Sequence, residues 1–257
     1  MELRRDQLDK KSKKNRRRLK VNERTMSGNS LGIVETLGMW PSIVAVDAML
    51  KAANVELLRY EKVGLGWVIC AIAGNVAAVR TALEAGHSAA EEISKSGVAA
   101  SVISGPLGGS PPFNMVNTCM IVNPNPQVWY WTVGGEPLEE MRTTGGAIGY
   151  IDVLTFVIAV LSVDAMVKGA TVQLLGYTGV PPRYVVWIKG DVGAVKQAVD
   201  SGVSIAMRNN MYVASQIIAR PEADTLATIP VRQVVSPVDV RAITESRLLK
   251  LAPPPNV

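Results

Sequence analysis

Asp47-Ala-Met-Leu-Lys51-Ala-Ala-Asn-Val-Glu-Leu57-Leu58-Arg-Tyr60 returns later in the chain as Asp164-Ala-Met-Val-Lys168-Gly-Ala-Thr-Val-Gln-Leu174-Leu175-Gly-Tyr177. Asp47, Met49, Lys51, Ala53, Val55, Leu57, Leu58 and Tyr60 all recur at an offset of 117. A register held over that many positions marks a tandem duplication, and an internal repeat decides the architecture before any local pattern does. The 257 residues are therefore read as two like modules, in line with the usual domain size.

Before the first copy of this stretch, Leu31 to Thr36 reads as a strand. Pro41 sits where a helix start tolerates proline, and Ser42 to Ala53 continues the helix. Val55 to Glu61 has β-branched and aromatic character and reads as a strand. Lys62 to Gly66 is a turn. Trp67 to Ala73 is nearly all apolar, the pattern of a strand buried on both faces. Asn75 caps a helix over Val76 to Ser94. Val98 to Ile103 closes the module. The order is β-α-β-β-α-β, so the fold class is α+β, ferredoxin-like, twice over.

The second copy follows suit. Ala147 to Ile151 is a strand, and the apolar run from Val153 begins a buried helix ending at Lys168. Thr171 to Tyr177 and Tyr184 to Lys189 are strands around a turn at Thr178-Gly-Val-Pro181-Pro182-Arg183. Asp191 caps Val192 to Arg208, and Tyr212 to Ala219 closes the unit. Gly74 answers Gly190 at an offset of 116, so the second turn is one residue shorter.

The expected domains are a basic tail at 1–29, modules at 30–106 and 145–222, an inter-module extension at 107–144, and a C-terminal extension at 223–257. The extension between the modules is Pro- and Gly-rich and carries Trp129, Tyr130 and Trp131. It reads either as a piece of module packing its aromatics on the neighbour, or as a ligand-facing loop. Val238 to Leu249 reads as a short helix.

Charge is unevenly placed. Residues 1–24 hold 11 Lys/Arg against 4 Asp/Glu, leaving 16 against 18 for the rest. The tail has too few apolar residues to fold alone. It is either a solvated tail or an electrostatic anchor for nucleic acid, an acidic partner such as cargo or shell, or a membrane surface. It lacks aromatics for base stacking. No signal peptide or membrane span is expected, because Val153 to Val163 is too short. Cys70 and Cys119 form no CxxC pattern, which suits a reducing cytosol. His87 is the only histidine, which excludes His-cluster metal sites and most Ser-His-Asp arrangements within one chain. The Gly-rich turns match neither a P-loop nor a dinucleotide fingerprint.

Leu31-Gly-Ile-Val-Glu-Thr36, Asp47 to Val55 and Tyr60-Glu-Lys-Val-Gly64 together resemble the bacterial microcompartment (BMC) shell-protein domain. Asp164 to Lys168, Lys189-Gly-Asp-Val-Gly-Ala-Val-Lys196 and Ile218-Ala-Arg220-Pro221 are similar to the same domain. The resemblance implies a non-permuted tandem member: a homotrimeric pseudohexamer of six domains, tiled with other BMC hexamers and pentamers into a microcompartment shell in the cytoplasm. It implies a structural protein, not an enzyme, with no cofactor and no membrane partner. It also implies that the turn after the second strand lines a central pore for small metabolites. That assigns Lys62, Val63, Gly64, Leu65 and Gly66 to the pore from one module, and Gly179, Val180, Pro181, Pro182 and Arg183 from the other. Arg183 pointing inward would put three positive charges in the pore and favour anions; paired with a neighbouring acid it would not. The family's tile-edge lysine corresponds to Lys51 and Lys168, and its edge arginine to Arg220. Module one carries Ser104-Gly105-Pro106 where that arginine is expected. An iron–sulfur cluster, held by a pore cysteine in some tandem members, is not expected, since neither turn has a cysteine. The competing readings are a regulator binding a small molecule between ferredoxin-like modules, and a nucleic-acid binder acting through the tail.

Overall fold

The computed structural model describes residues 30–95, 115–133 and 146–227. The first module runs β1 (Ser30–Leu37), α1 (Met39–Ala52), β2 (Glu56–Gly64), β3 (Trp67–Gly74), α2 (Val76–Lys95), β4 (Val116–Val122) and α3 (Pro126–Val133). The second runs β5 (Ala147–Leu154), α4 (Phe156–Gly169), β6 (Gln173–Thr178), β7 (Arg183–Gly190), α5 (Val192–Arg208), β8 (Tyr212–Ala219) and α6 (Ala223–Ala227). Each forms a four-stranded antiparallel sheet, in the orders β2-β3-β1-β4 and β6-β7-β5-β8. The chain is α+β, with two tandem units of one topology.

The expected closing strand at 98–103 lies outside the described residues. The free edge of β1 is instead occupied by Val116–Val122, with Ser30 opposite Val122 and Thr36 opposite Val116. By sequence pattern this segment belongs to the inter-module extension. Both stretches are β-branched runs, but the Gly-Gly and Pro-Pro pairs at 108–112 make the later one look like loop. A second difference is at the start of α4. Val153 and Leu154 complete β5, and the helix begins only at Phe156, after Thr155 turns the backbone at φ 67°. Asn75 does cap α2, its Oδ1 accepting from Ala78 N at 2.8 Å. Asp191 holds the corresponding place on α5 but makes no side-chain cap bond. The helix expected over 238–249 lies outside the described residues.

The apolar run of β3 is explained by burial on both faces. Val68, Cys70 and Ile72 pack with Val34, Met49 and Val79 beneath α1 and α2. Trp67, Ile69, Ala71 and Ala73 face the other way, into a cluster shared with Phe156, Val157 and Val160 of α4. Sheet one is thus sandwiched between its own helices and the second module.

Each helix pair closes on a glycine. A Cβ at Gly86 would lie 2.6 Å from Met49 Cγ and 3.2 Å from the Ala45 carbonyl oxygen. At Gly202 it would meet Met166 Cγ and Sδ at 2.8 Å. Methionine can move aside, whereas a backbone carbonyl cannot. Gly86→Ala is expected to destabilise by about 1–3 kcal/mol as an overpacked contact, and Gly202→Ala by less. Denaturant midpoints of the two variants check the order.

Candidate functional site

Two turns project from the hairpins β2–β3 and β6–β7. In the first, Leu65 (φ 48°) and Gly66 (φ 83°) are the two connecting residues. Positive φ at both positions is the pattern of a type I′ hairpin, which ordinarily takes Asn-Gly or Asp-Gly. The second turn carries Gly179 at φ 124°, where a Cβ would meet the Arg183 carbonyl oxygen at 2.4 Å. The turns lie side by side: a Cβ on Gly64 would be 4.0 Å from Pro181 Cδ.

Not all ten residues assigned to this region face outward. Val63 is buried in the core, and Pro181 is buried as well. Lys62, Gly64, Leu65 and Gly66 are exposed, as is Val180. Arg183 is ion-paired rather than free: its Nε lies 2.8–2.9 Å from both oxygens of the buried Asp152 carboxylate, and a second contact runs through Nη2. The second turn therefore presents a neutralised charge beside an apolar tip.

Lys51 and Lys168 hold the same helix position, each 2.6 Å from an acid one turn back, Asp47 and Asp164. They differ in surroundings. Lys168 also donates to the Val122 carbonyl at 3.5 Å, across the junction between modules. Arg220 is exposed at φ 50° immediately after β8. Its structural counterpart is Asn123, which follows β4 at φ 51° and precedes Pro124 as Arg220 precedes Pro221. The position equivalent to Arg220 is thus Asn123, not one in Ser104-Gly105-Pro106, and an arginine is still absent there.

The junction between the modules is a site that sequence reasoning missed. Glu35 of β1 is fully buried, and both its carboxylate oxygens accept from Phe156 N, at 2.9 and 3.0 Å, at the start of α4. A carboxylate there meets the unsatisfied N–H groups and positive end of the helix. Tyr184 Oη donates to it at 3.2 Å. Burial nevertheless pushes the Glu35 carboxyl up from 4.5 to about 7, against the opposing pull of these donors. Arg59 is also buried, its guanidinium 5.3 Å from the Phe156 ring centroid. It donates to the Thr132 carbonyl at 2.7 Å and to Glu61. Gln127 of α3 clamps the second sheet's edge: its amide donates to the Val172 carbonyl at 3.0 Å, and its carbonyl accepts from Leu174 N at 2.7 Å. Trp129 and Trp131 are buried in the core cluster shared with module two, and Trp131 packs tilted on Phe156 and edge-on to Tyr177. The aromatics of the extension therefore pack on the neighbouring module; the side chain of Tyr130 lies outside the described residues. A signal for Glu35 was present in the sequence, since Asp152 repeats an acid at the same offset within an otherwise apolar strand.

The duplication makes the rest of the surface informative. Val157, Val160 and Val167 of α4 are buried against module one. Their counterparts on α1 are Trp40, Ile43 and Leu50. Trp40 is 73% exposed where Val157 is 4%, and Ile43 is 43% exposed where Val160 is 0%. The opposite wall behaves alike: Ile121 of β4 is 3% exposed, and Ile218, its counterpart on β8, is 36%. These positions are closed within the chain on α4 and β4, and their equivalents on α1 and β8 lie open.

Cys70 and Cys119 are free and buried, and burial raises both thiols. Among the described residues no three His, Cys, Asp or Glu side chains gather as a metal site, and no helix is long and apolar enough to cross a membrane.

A family model described as the BMC domain matches residues 30–106 and again 147–221. The carboxysome assembly protein CcmO of Synechocystis sp. is 31% identical over 221 residues, covering 82% of this chain and 68% of that protein. The microcompartment shell protein PduA of Salmonella typhimurium is 47% identical over 68 residues, 26% of this chain and 72% of its own. Among solved structures, a microcompartments protein from Desulfitobacterium hafniense superposes with a TM-score of 0.58 at 28% identity, covering 77% of this chain and 98% of that one.

Proposed function

This chain belongs to the BMC-domain family of microcompartment shell proteins, and we propose that it serves in the shell as a homotrimeric tile whose six domains surround a pore. The observation that carries the trimer is the open seam. Trp40 and Ile43 expose, at one end of the chain, the same face that Val157 and Val160 bury within it. Ile218 offers the matching wall at the other end. A surface that exposes large apolar side chains in this way marks an interaction site. The occupant that fits it is a second copy, because the in-chain seam already demonstrates the complementary wall. Head-to-tail contacts of this kind close into a ring when the rotation permits, and six BMC domains make the ring that the family builds.

The same operation carries the polar contacts across. Asp152 stands where Glu35 stands, but its carboxylate is held by Arg183 and not by a helix start. Lys51 takes the place of Lys168, facing the carbonyl of Ala219 as Lys168 faces that of Val122. The two turns, adjacent across the in-chain seam, become six turns in mutual contact around the axis. That is the pore. Lys51, Lys168 and Arg220 then form the outer rim that meets other shell proteins, with Asn123 making alternate rim positions chemically unequal. The localisation that follows is the shell of a bacterial microcompartment in the cytoplasm, and the role is structural rather than enzymatic.

Native mass spectrometry with negative-stain electron microscopy of the full chain tests this. The expected result is a mass of three copies and flat particles of hexagonal outline. Monodisperse dimers showing a ligand-dependent thermal shift would overturn it in favour of a small-molecule regulator.

A further inference from the structure

Leu65 is an unfavourable residue for the place it occupies. Its backbone lies at φ 48°, a region that disfavours side chains other than those of Asn, Asp and Gly. Its side chain is 72% exposed. Asparagine there would relieve the backbone and suit the solvent, so neither folding nor solubility of the single chain accounts for a leucine. Strain retained at an exposed position points to function. The adjoining turn makes the same choice. Val180 is 61% exposed at its tip, and Gly64 beside Pro181 brings the two turns together. The cation of that turn, Arg183, is held by Asp152. Lys62 is exposed three positions before Leu65, on the strand rather than at the tip.

We propose that Leu65 and Val180 alternate around the pore as an apolar constriction, selecting small uncharged solutes over ions. The inference rests on the trimeric pore described above and specifies what that pore admits. Six apolar tips leave a passing ion no group to replace its hydration shell, and an apolar constriction also excludes water by dewetting. An uncharged solute loses far less on entering. Exclusion then comes from the tips, while the paired Arg183 contributes no net charge at the lip.

The test uses full-length trimers, their mass confirmed, inserted in planar bilayers for potassium chloride conductance and in liposomes for erythritol-driven swelling. Wild-type trimers are expected to pass erythritol while conducting ions weakly. Leu65→Asn and Val180→Ser together should raise conductance for both ions by at least about tenfold, a barrier change of about 1.4 kcal/mol. Leu65→Asn suits its backbone, so folding is expected to be retained, and the mass measurement verifies the trimer. Trimeric variants conducting like wild type would overturn the apolar constriction and leave the pore reading standing. So would wild-type trimers that conduct ions freely, or a conductance governed by Arg183→Gln or Lys62→Gln instead. Absence of trimers would defeat the pore reading itself.

Discussion

Trp40→Asp is expected to abolish assembly while leaving the chain folded, whereas Val157→Asp, at the equivalent place on α4, is expected to destabilise the fold itself. The two positions are one site seen twice. Val157 is packed inside the chain, and Trp40 is exposed where the proposed trimer would bring another copy against it. An unpaired carboxylate forced into an apolar seam costs several kcal/mol. At position 157 that loss falls on folding, on the order of 3–5 kcal/mol, a size reached only by a few mechanisms such as burial of an unpaired charge. At position 40 it falls on association, joined by loss of a large aromatic anchor of the kind that dominates interface energetics. With each 1.4 kcal/mol worth a factor of ten, the dissociation constant should rise by at least about a thousandfold. Sedimentation velocity reads the first effect and chemical denaturation the second. If Trp40→Asp still sediments as the parent assembly, the seam reading fails, whatever happens at Val157.

The repeat, and with it the α+β class and most element positions, was legible because a constant offset of 117 needs no structure to detect. The fourth strand was not. Val98–Ile103 and Val116–Val122 are both plausible strands by composition, and a local pattern cannot report which one pairs with β1. Only the register, with Asn123 and Arg220 both turning at φ near 50° after the strand, reveals the correspondence. It shows that the offset shrinks to 97 (220 less 123) by the closing strand, so module one carries extra residues after α2.

The hairpin turns are plain in the sequence, yet their character is not. Arg183 is the conspicuous charge there, and its neutralisation depends on Asp152, 31 residues earlier in an adjacent strand. Leu65 is unremarkable as a residue; its significance lies in a backbone angle. The in-chain seam is hidden for a related reason. Glu35, Tyr184 and Phe156 come together from positions up to 149 residues apart, and no local pattern joins them.

Glu35 supplies the second large effect, a stability that depends on pH in an unusual direction. Its carboxyl titrates near 7 in the folded chain against 4.5 when unfolded, chiefly because burial disfavours the charge. A raised carboxyl binds its proton more tightly in the native state. Its contribution to stability is therefore complete below about pH 4.5, declines as pH rises, and is gone above about pH 7. A tenfold difference in proton affinity is worth about 1.4 kcal/mol, so the whole interval amounts to about 3 kcal/mol. The surrounding groups do not cancel the effect: Tyr184 donates to the carboxylate, Arg59 lies across the Phe156 ring, and Cys119 is a thiol that burial, chiefly, keeps neutral. Glu35→Gln keeps a carbonyl for Phe156 N and removes the charge. Relative to wild type, it should gain about 2–3 kcal/mol between pH 5 and pH 8, read as the difference between urea unfolding curves at the two pH values. The conservative swap separates titration from packing, because a purely structural role would change the variant by the same amount at both. A difference that stays flat from pH 5 to pH 8 would mean that Glu35 ionises normally despite its burial. The seam between the modules would then be held by its apolar packing and by Arg59 and Gln127, without a titrating carboxyl at its centre.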